Sequence, residues 1–453
     1  MHSKKGMFLI AGAVIIMELI GGMQVYLGQL IMPIMGEELN ARSYYGLMNG
    51  ISHIAGMIGL PIGAMLLGRV RLSRLLMGAT IILVIGAITC ATAQNVWMYL
   101  AGSVIRSLAG SAMAMTSIGA VAKGLKGRAR QLTLAFSSAS WVISSLVGPM
   151  YAAWVTHLLS WRWAMLMYLP LVLVARFVIA LNLHGESEKS ENPIPYSSMP
   201  LLIAGISLTI LPVSGTWRIL CIVGGVLLLA RATVMLMPKG TFTRKTPRRA
   251  ALSGMFFLSG GYFAADTLMV YTAHDLFDAG PDVIGMILMG GGLGWAILGV
   301  ICGFKPARSA RSYRTRAVVG LGLILLCIVV TASLLFTDWV PSSTKILFVT
   351  LWTIAGIGMG MVYLDTLNIF FEEPDVADGI SIEEMAASSV MAESLSDTMF
   401  GPMISSIVAM AFLTPGTISA FPYQVAWVLS GLAILGSLYY LTRAKPPAAK
   451  ALA

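Results

Sequence analysis

Fourteen long apolar runs divide this chain, at 7–33, 44–67, 75–93, 96–121, 132–158, 161–181, 196–213, 217–237, 251–276, 283–304, 316–336, 346–370, 386–412 and 423–441. About 20 apolar residues in helical form match the thickness of a bilayer's hydrocarbon core. Lipid offers the backbone no hydrogen-bonding partners, so each run has to be a helix. The pattern predicts an all-α polytopic membrane protein. Runs seven and eight are the least regular: the seventh is short and lies between Pro200 and Pro212, and the eighth carries Arg218 and Arg231. Without that pair twelve spans remain, and both termini still share one side.

Composition agrees, with 57% hydrophobic and 11% charged residues, where a soluble domain carries roughly 25% charged. The first run is longer than the apolar region of a signal peptide and has no small-residue cleavage site, so it is expected to stay as span one. Twenty-three Lys and Arg residues fall on the side of the N-terminus, and only Arg42, Arg162, Arg218 and Lys345 fall on the other. Basic connectors stay cytoplasmic, which predicts both termini inside, in a plasma or inner membrane. The net charge of +10 is then a matter of topology. A nucleic-acid partner would need those bases in one folded patch, and they are scattered over short connectors. Cys90, Cys221, Cys302 and Cys327 show no C-x-x-C spacing, and the five histidines never form a ligand pair at helical spacing; neither metal nor cofactor is expected. With no G-x-x-x-x-G-K-[ST] sequence, a nucleotide-driven machine is not expected either.

Gly148-Pro149 in run five returns as Gly401-Pro402 in run thirteen, with serines close by in both (Ser144, Ser145; Ser405, Ser406). With the middle pair set aside, these are the fifth helices of two six-helix halves. The expected organisation is a six-helix bundle at 1–183, a linker with two additional helices at 184–249, and a second six-helix bundle at 250–453. Gly148 permits close helix approach, and Pro149 frees a carbonyl and can bend the helix. Tight packing and a leak-preventing seal are both open as their duty.

Together with Ser160-Trp161-Arg162-Trp163 and Pro170, the Gly148-Pro149 helix resembles the major facilitator superfamily, in particular its fourteen-span drug:proton antiporters. Arg106 and Gly110 are similar to the family's R-x-x-x-G motif. The segment Gly63 to Arg71, with Arg69, is a degenerate form of the loop motif between spans two and three; Gly68 stands where the family usually has an acid. Gln24 falls where fourteen-span relatives usually carry Asp. The resemblance implies a divergent member, monomeric and without enzymatic activity, that moves a small-molecule substrate across the bilayer against protons.

Ionisable side chains inside spans cost about 2.5–3.5 kcal/mol each at the centre and mark ion or substrate paths. Glu393 and Asp397 are four apart on one helix face. Two such carboxylates do not both ionise cheaply, which makes them candidates for proton coupling. Glu18 and Arg106 lie at similar depth, so an ion pair broken by protonation is a second candidate, and a permanent structural pair its alternative. Asp266, with Tyr262 and Phe263 beside it, can meet a cationic substrate through charge and cation–π contact, or pair with Arg176. Gln24, Trp141, Trp295 and Met289 are further substrate-binding candidates; Trp154 and Trp352 stand beside them as pocket or packing residues. The expected activity is proton-coupled export of amphipathic or cationic organic compounds. Transport of a lipid, siderophore, peptide or other natural product, outward or inward, is one rival, and a non-transporting membrane sensor another.

Overall fold

The computed structural model describes residues 4–67, 72–124, 127–182, 198–213, 215–243, 245–307, 309–336, 343–370, 379–413 and 418–444. Among them every regular element is helical. The α-helices are α1 (Lys4–Glu38), α2 (Tyr45–Leu67), α3 (Leu72–Ala91), α4 (Val96–Gly124), α5 (Gly127–Leu158), α6 (Trp161–Leu166), α7 (Leu169–Asn182), α8 (Met199–Ile210), α9 (Thr216–Leu236), α10 (Pro247–Asp275), α11 (Pro281–Phe304), α12 (Ala310–Leu334), α13 (Thr344–Phe370), α14 (Ile382–Val408) and α15 (Phe421–Leu441). Gly68, Arg69 and Arg71 lie outside the described residues, as does the side chain of Trp141.

Local chemistry sets several boundaries. Ser381 caps α14 by accepting from the Glu384 amide at 3.0 Å. Thr246 and Ser309 cap α10 and α12 the same way. The sixth apolar run, expected as one span, is two pieces, α6 and α7. Pro170 has no amide proton to return to Leu166, and the chain breaks at Met167–Tyr168.

Nine helices among the described residues are long and apolar enough to cross a bilayer. α8 has 12 residues, about 18 Å at 1.5 Å per residue, which is short of the roughly 30 Å hydrocarbon core. On α3, Ile81, Ile82, Ile85 and Ile88 are all about half exposed. Such a continuous apolar face suits lipid rather than water.

The chain falls into two compact units, one of 1–44 and 48–199, the other of 45–47 and 200–453. In the first unit α1 packs on α5 and α7, and α3 packs on α4 and α7. In the second, α10 packs on α14 and α15, and α12 packs on α13 and α15. The same scheme, first helix on fifth and sixth and third on fourth and sixth, is thus built twice. α8 and α9 meet where a side chain on Gly225 would strike the Gly205 carbonyl. They belong to the second unit, where Arg218 of α9 donates to the Ser406 carbonyl of α14 at 3.1 Å.

Gly148 does what its lack of a side chain permits: a Cβ there would lie 3.2 Å from the Met23 Cα and the Tyr26 ring of α1. Ser144 tightens the same seam by donating to the Leu19 carbonyl at 2.7 Å.

Candidate functional site

In the second unit, four helices bring two carboxylates to the ends of one run of aromatic rings. Tyr262 and Asp266 are four apart on α10 and share a face. Asp266 is buried and accepts a hydrogen bond from the Trp352 indole N–H of α13. Tyr262 stacks on that indole, with centroids 5.6 Å apart and planes 17° from parallel. Trp295 of α11 meets Tyr262 and Phe263, each at 6.0 Å, and then Tyr363 of α13 at 5.1 Å. The Tyr363 hydroxyl donates to Glu393 Oε1 of α14 at 2.6 Å. Trp352 and Tyr363 are eleven residues apart, three turns on one face of α13, so the run extends roughly 16 Å along that helix.

Glycine makes this arrangement possible. A Cβ on Gly291 of α11 would sit 2.7 Å from the Trp352 ring, and one on Gly360 of α13 would sit 2.6 Å from the Trp295 carbonyl. Both helices therefore approach backbone to backbone and leave their large rings the space on either side. Trp295, Phe263, Tyr363 and Met289 are half-buried, and Asp397, one turn beyond Glu393, is exposed. The helix face shared by Glu393 and Asp397 thus runs from a half-buried acid to an exposed one.

The first unit holds a different constellation. Arg106 of α4 is hydrogen-bonded to Tyr168 in the break between α6 and α7, with Cys90 and Tyr99 near it. The Tyr168 hydroxyl donates in turn to Gln24 Oε1 of α1 at 3.3 Å. The expected Glu18–Arg106 pair does not form. The cation acting on Glu18 is Arg176 of α7. Arg106 meets Tyr168 in the α6–α7 break instead; sequence position fixes height along a helix and not direction around a bundle.

Gln24, expected to bind substrate, is part of this network. Gly63 is buried within α2, and Gly110 has open space where a side chain would be. Gly401 and Pro402 are buried in α14. Trp154 is 63% exposed and faces away from its unit's interior.

Three further acids anchor helix ends, of which Glu38 and Asp275 carry no mark in the sequence. Glu38, at the end of α1, accepts from Trp161 Nε1 at 2.6 Å and pairs with Arg162, which also donates to the Ala93 carbonyl at 2.8 Å. This gives the Trp-Arg-Trp stretch a local task, tying α1, α6 and the α3–α4 turn. Asp365 accepts from Arg316 at 2.8 Å and from the Ala307 amide at 3.1 Å, which ties the end of α13 to the turn before α12. Asp275, at the end of α10, accepts from the Tyr423 hydroxyl at 2.7 Å and meets His274 Nδ1 at 2.9 Å. Among the described residues no group of three or more His, Cys, Asp or Glu side chains is placed to hold a metal ion.

A multi-pass helical membrane protein whose packing scheme is built twice, with acids and aromatic rings inside the helices, has the makings of a carrier. The chain belongs to the Major Facilitator Superfamily, whose family model matches residues 14–372. Among curated relatives it is 20% identical over 347 residues to the multidrug transporter protein MdtP of Bacillus subtilis, covering 72% of this chain and 62% of that one. It is 24% identical over 329 residues to the acurin A biosynthesis cluster MFS-type transporter of Aspergillus aculeatus, covering 66% and 58%. The matched segment spans only 21% of an uncharacterized MFS-type transporter of Mycobacterium tuberculosis, so this chain matches less than two thirds of these relatives' lengths. Among solved structures, a POT peptide transporter superposes with TM-score 0.66 at 14% identity, covering 98% of this chain and 96% of that one. A D-xylose-proton symporter does so with TM-score 0.56 at 15% identity, covering 94% and 97%. At such identities the structures speak for the fold alone.

Proposed function

We propose that this protein is a proton-coupled exporter of amphipathic, cationic organic compounds. The observation that carries the reading is the run of rings from Asp266 to Glu393. A cation between aromatic faces gains about 0.5–2 kcal/mol per ring, and Asp266 supplies a formal charge to meet it. Glu393 and Asp397 are the proton-binding acids. Protonation turns Glu393 from acceptor into donor, which changes its bond to Tyr363 and so the ring that Tyr363 holds against Trp295. Proton and substrate are then linked through one continuous set of contacts. Access alternates between the two sides of the membrane, with both termini cytoplasmic by the Lys/Arg asymmetry. The drug-transporting relative in Bacillus subtilis supports this cargo class.

A second reading takes its support from the relative in a fungal biosynthetic cluster: the cargo is a natural product of the producing cell, gathered by the same rings. Flux in proteoliposomes under an imposed pH gradient tests both. Export of a lipophilic cationic dye that collapses when the gradient is dissipated is the expected result. Flux that persists without the gradient overturns proton coupling, flux of neutral natural products alone favours the second reading, and no flux of any candidate points to a sensor.

A further inference from the structure

A pocket of about 530 Å³ lies in the second unit where the end of α9, the start of α10 and the start of α14 converge. It is separate from the run of rings. Lys239, which is exposed, and Arg249 border it, and Leu236, Met237, Ile380 and Met391 supply its apolar wall. The turn after α9 brings the two cations together. Gly240 adopts φ +79°, and a Cβ there would lie 3.5 Å from an Arg249 guanidinium nitrogen, so the guanidinium rests against the bend. Gly379, Ile380 and Ser388 also line it, the Ser388 hydroxyl donating to the Glu384 carbonyl at 2.7 Å. Glu384 also lines the pocket and is exposed at its rim. Arg248, next to Arg249, is turned away and spent on the carbonyls of Ile380 and Phe370, at 3.0 and 3.2 Å.

Two cations and an apolar wall at the ends of membrane helices form a recognisable chemistry. Basic pockets between helices at a membrane face hold anionic headgroups, and the apolar wall suits the first methylenes of an acyl chain. We infer that this pocket binds the phosphate of an anionic phospholipid, with Lys239 and Arg249 as its counter-ions. Through this site the lipid braces the accessory helix α9 against α10 and α14, so the protein is stabilised by anionic membranes independently of what it transports.

The full-length protein, delipidated in detergent, is titrated with phosphatidylglycerol, with phosphatidylcholine, and with inorganic phosphate or soluble glycerophosphate, and its melting temperature is followed. Phosphatidylglycerol is expected to raise the melting temperature saturably, while phosphatidylcholine and the soluble phosphates leave it unchanged. Lys239→Gln and Arg249→Gln should each weaken the apparent affinity roughly fivefold, and Arg249→Lys should restore most of it. Lys239 is exposed, so its variant tests the site even if Arg249→Gln fails to fold. Equal stabilisation by phosphatidylcholine, or an undiminished response in Lys239→Gln, overturns the proposal. Equal saturation by inorganic phosphate overturns the lipid as the source.

Discussion

The two units share a packing scheme and differ in the surroundings of the acids within their helices, apart from Asp365 of the second unit, which is also paired with a guanidinium. In the first, Arg176 is the cation that acts electrostatically with Glu18, and Arg106 is hydrogen-bonded to Tyr168, which also engages Gln24. In the second, Asp266 and Glu393 take hydrogen bonds from an indole and a phenol. A guanidinium offsets the charge of a carboxylate, whereas a neutral donor only solvates it. An acid solvated by neutral donors can gain and lose a proton without stranding a partner's charge. On the proposed function, the first unit holds shape and the second changes state. It also shows how two copies of one scaffold diverge: helix contacts are kept, while the polar residues lining them are free to differ.

The strongest test of this assignment compares acids. Glu393→Gln is expected to cut pH-driven transport about 100-fold, with the protein still folded by circular dichroism, and Asp397→Asn to do the same if the two act as a pair. Glu18→Gln should retain the pH response, and a loss equal to that of Glu393→Gln would erase the distinction between the units.

Next in size are losses of stability. Arg316→Ala leaves Asp365 buried without its cation, a cost of about 3–5 kcal/mol. Trp352→Ala opens a cavity of similar cost and should also abolish stabilisation by a cationic ligand. Both are read from thermal melts with and without ligand, and an Arg316→Ala melt matching the parent would show that Asp365 finds other partners.

A smaller effect belongs to the first unit. Tyr168→Phe removes the hydroxyl shared by Arg106 and Gln24 and should cost about 1–3 kcal/mol while leaving the pH dependence of transport in place. Trp154→Ala, at an exposed position, should change stability by no more than about 0.5 kcal/mol; a larger loss would mean that this face has an occupant.

Much of the candidate site is legible in the amino-acid sequence. Tyr262, Phe263 and Asp266 are close together in one apolar run, and the spacing of Glu393 and Asp397 declares a common face. Trp295 and Trp352 stand out as large rings inside spans. Tyr363 carries no such mark of its own, although its distance of eleven residues from Trp352 places it on the same side of α13. Asp275 is hidden for another reason: it stands at the edge of an apolar run, where acids are unremarkable. Glu38 lies past Pro33, the close of the first apolar run, yet α1 continues through that proline and carries the acid with it. The expected Glu18–Arg106 pairing fails for a geometric reason, since equal depth leaves the direction of each side chain undetermined.

Sequence alone determined that the apolar runs are helical, though not that the sixth is broken into α6 and α7, and it carried the resemblance to a family of carriers. Those properties follow from desolvation, which is local and accumulates along the chain, so an apolar run of sufficient length leaves the backbone one solution in lipid. Which acid meets which donor was decided only by tertiary packing. Rotating α10 or α14 by one residue, about 100°, would take Asp266 or Glu393 away from its donor without altering the helix's hydropathy. That rotation is set by contacts such as Gly291 on Trp352 and Gly148 on Met23, made between residues distant in the chain.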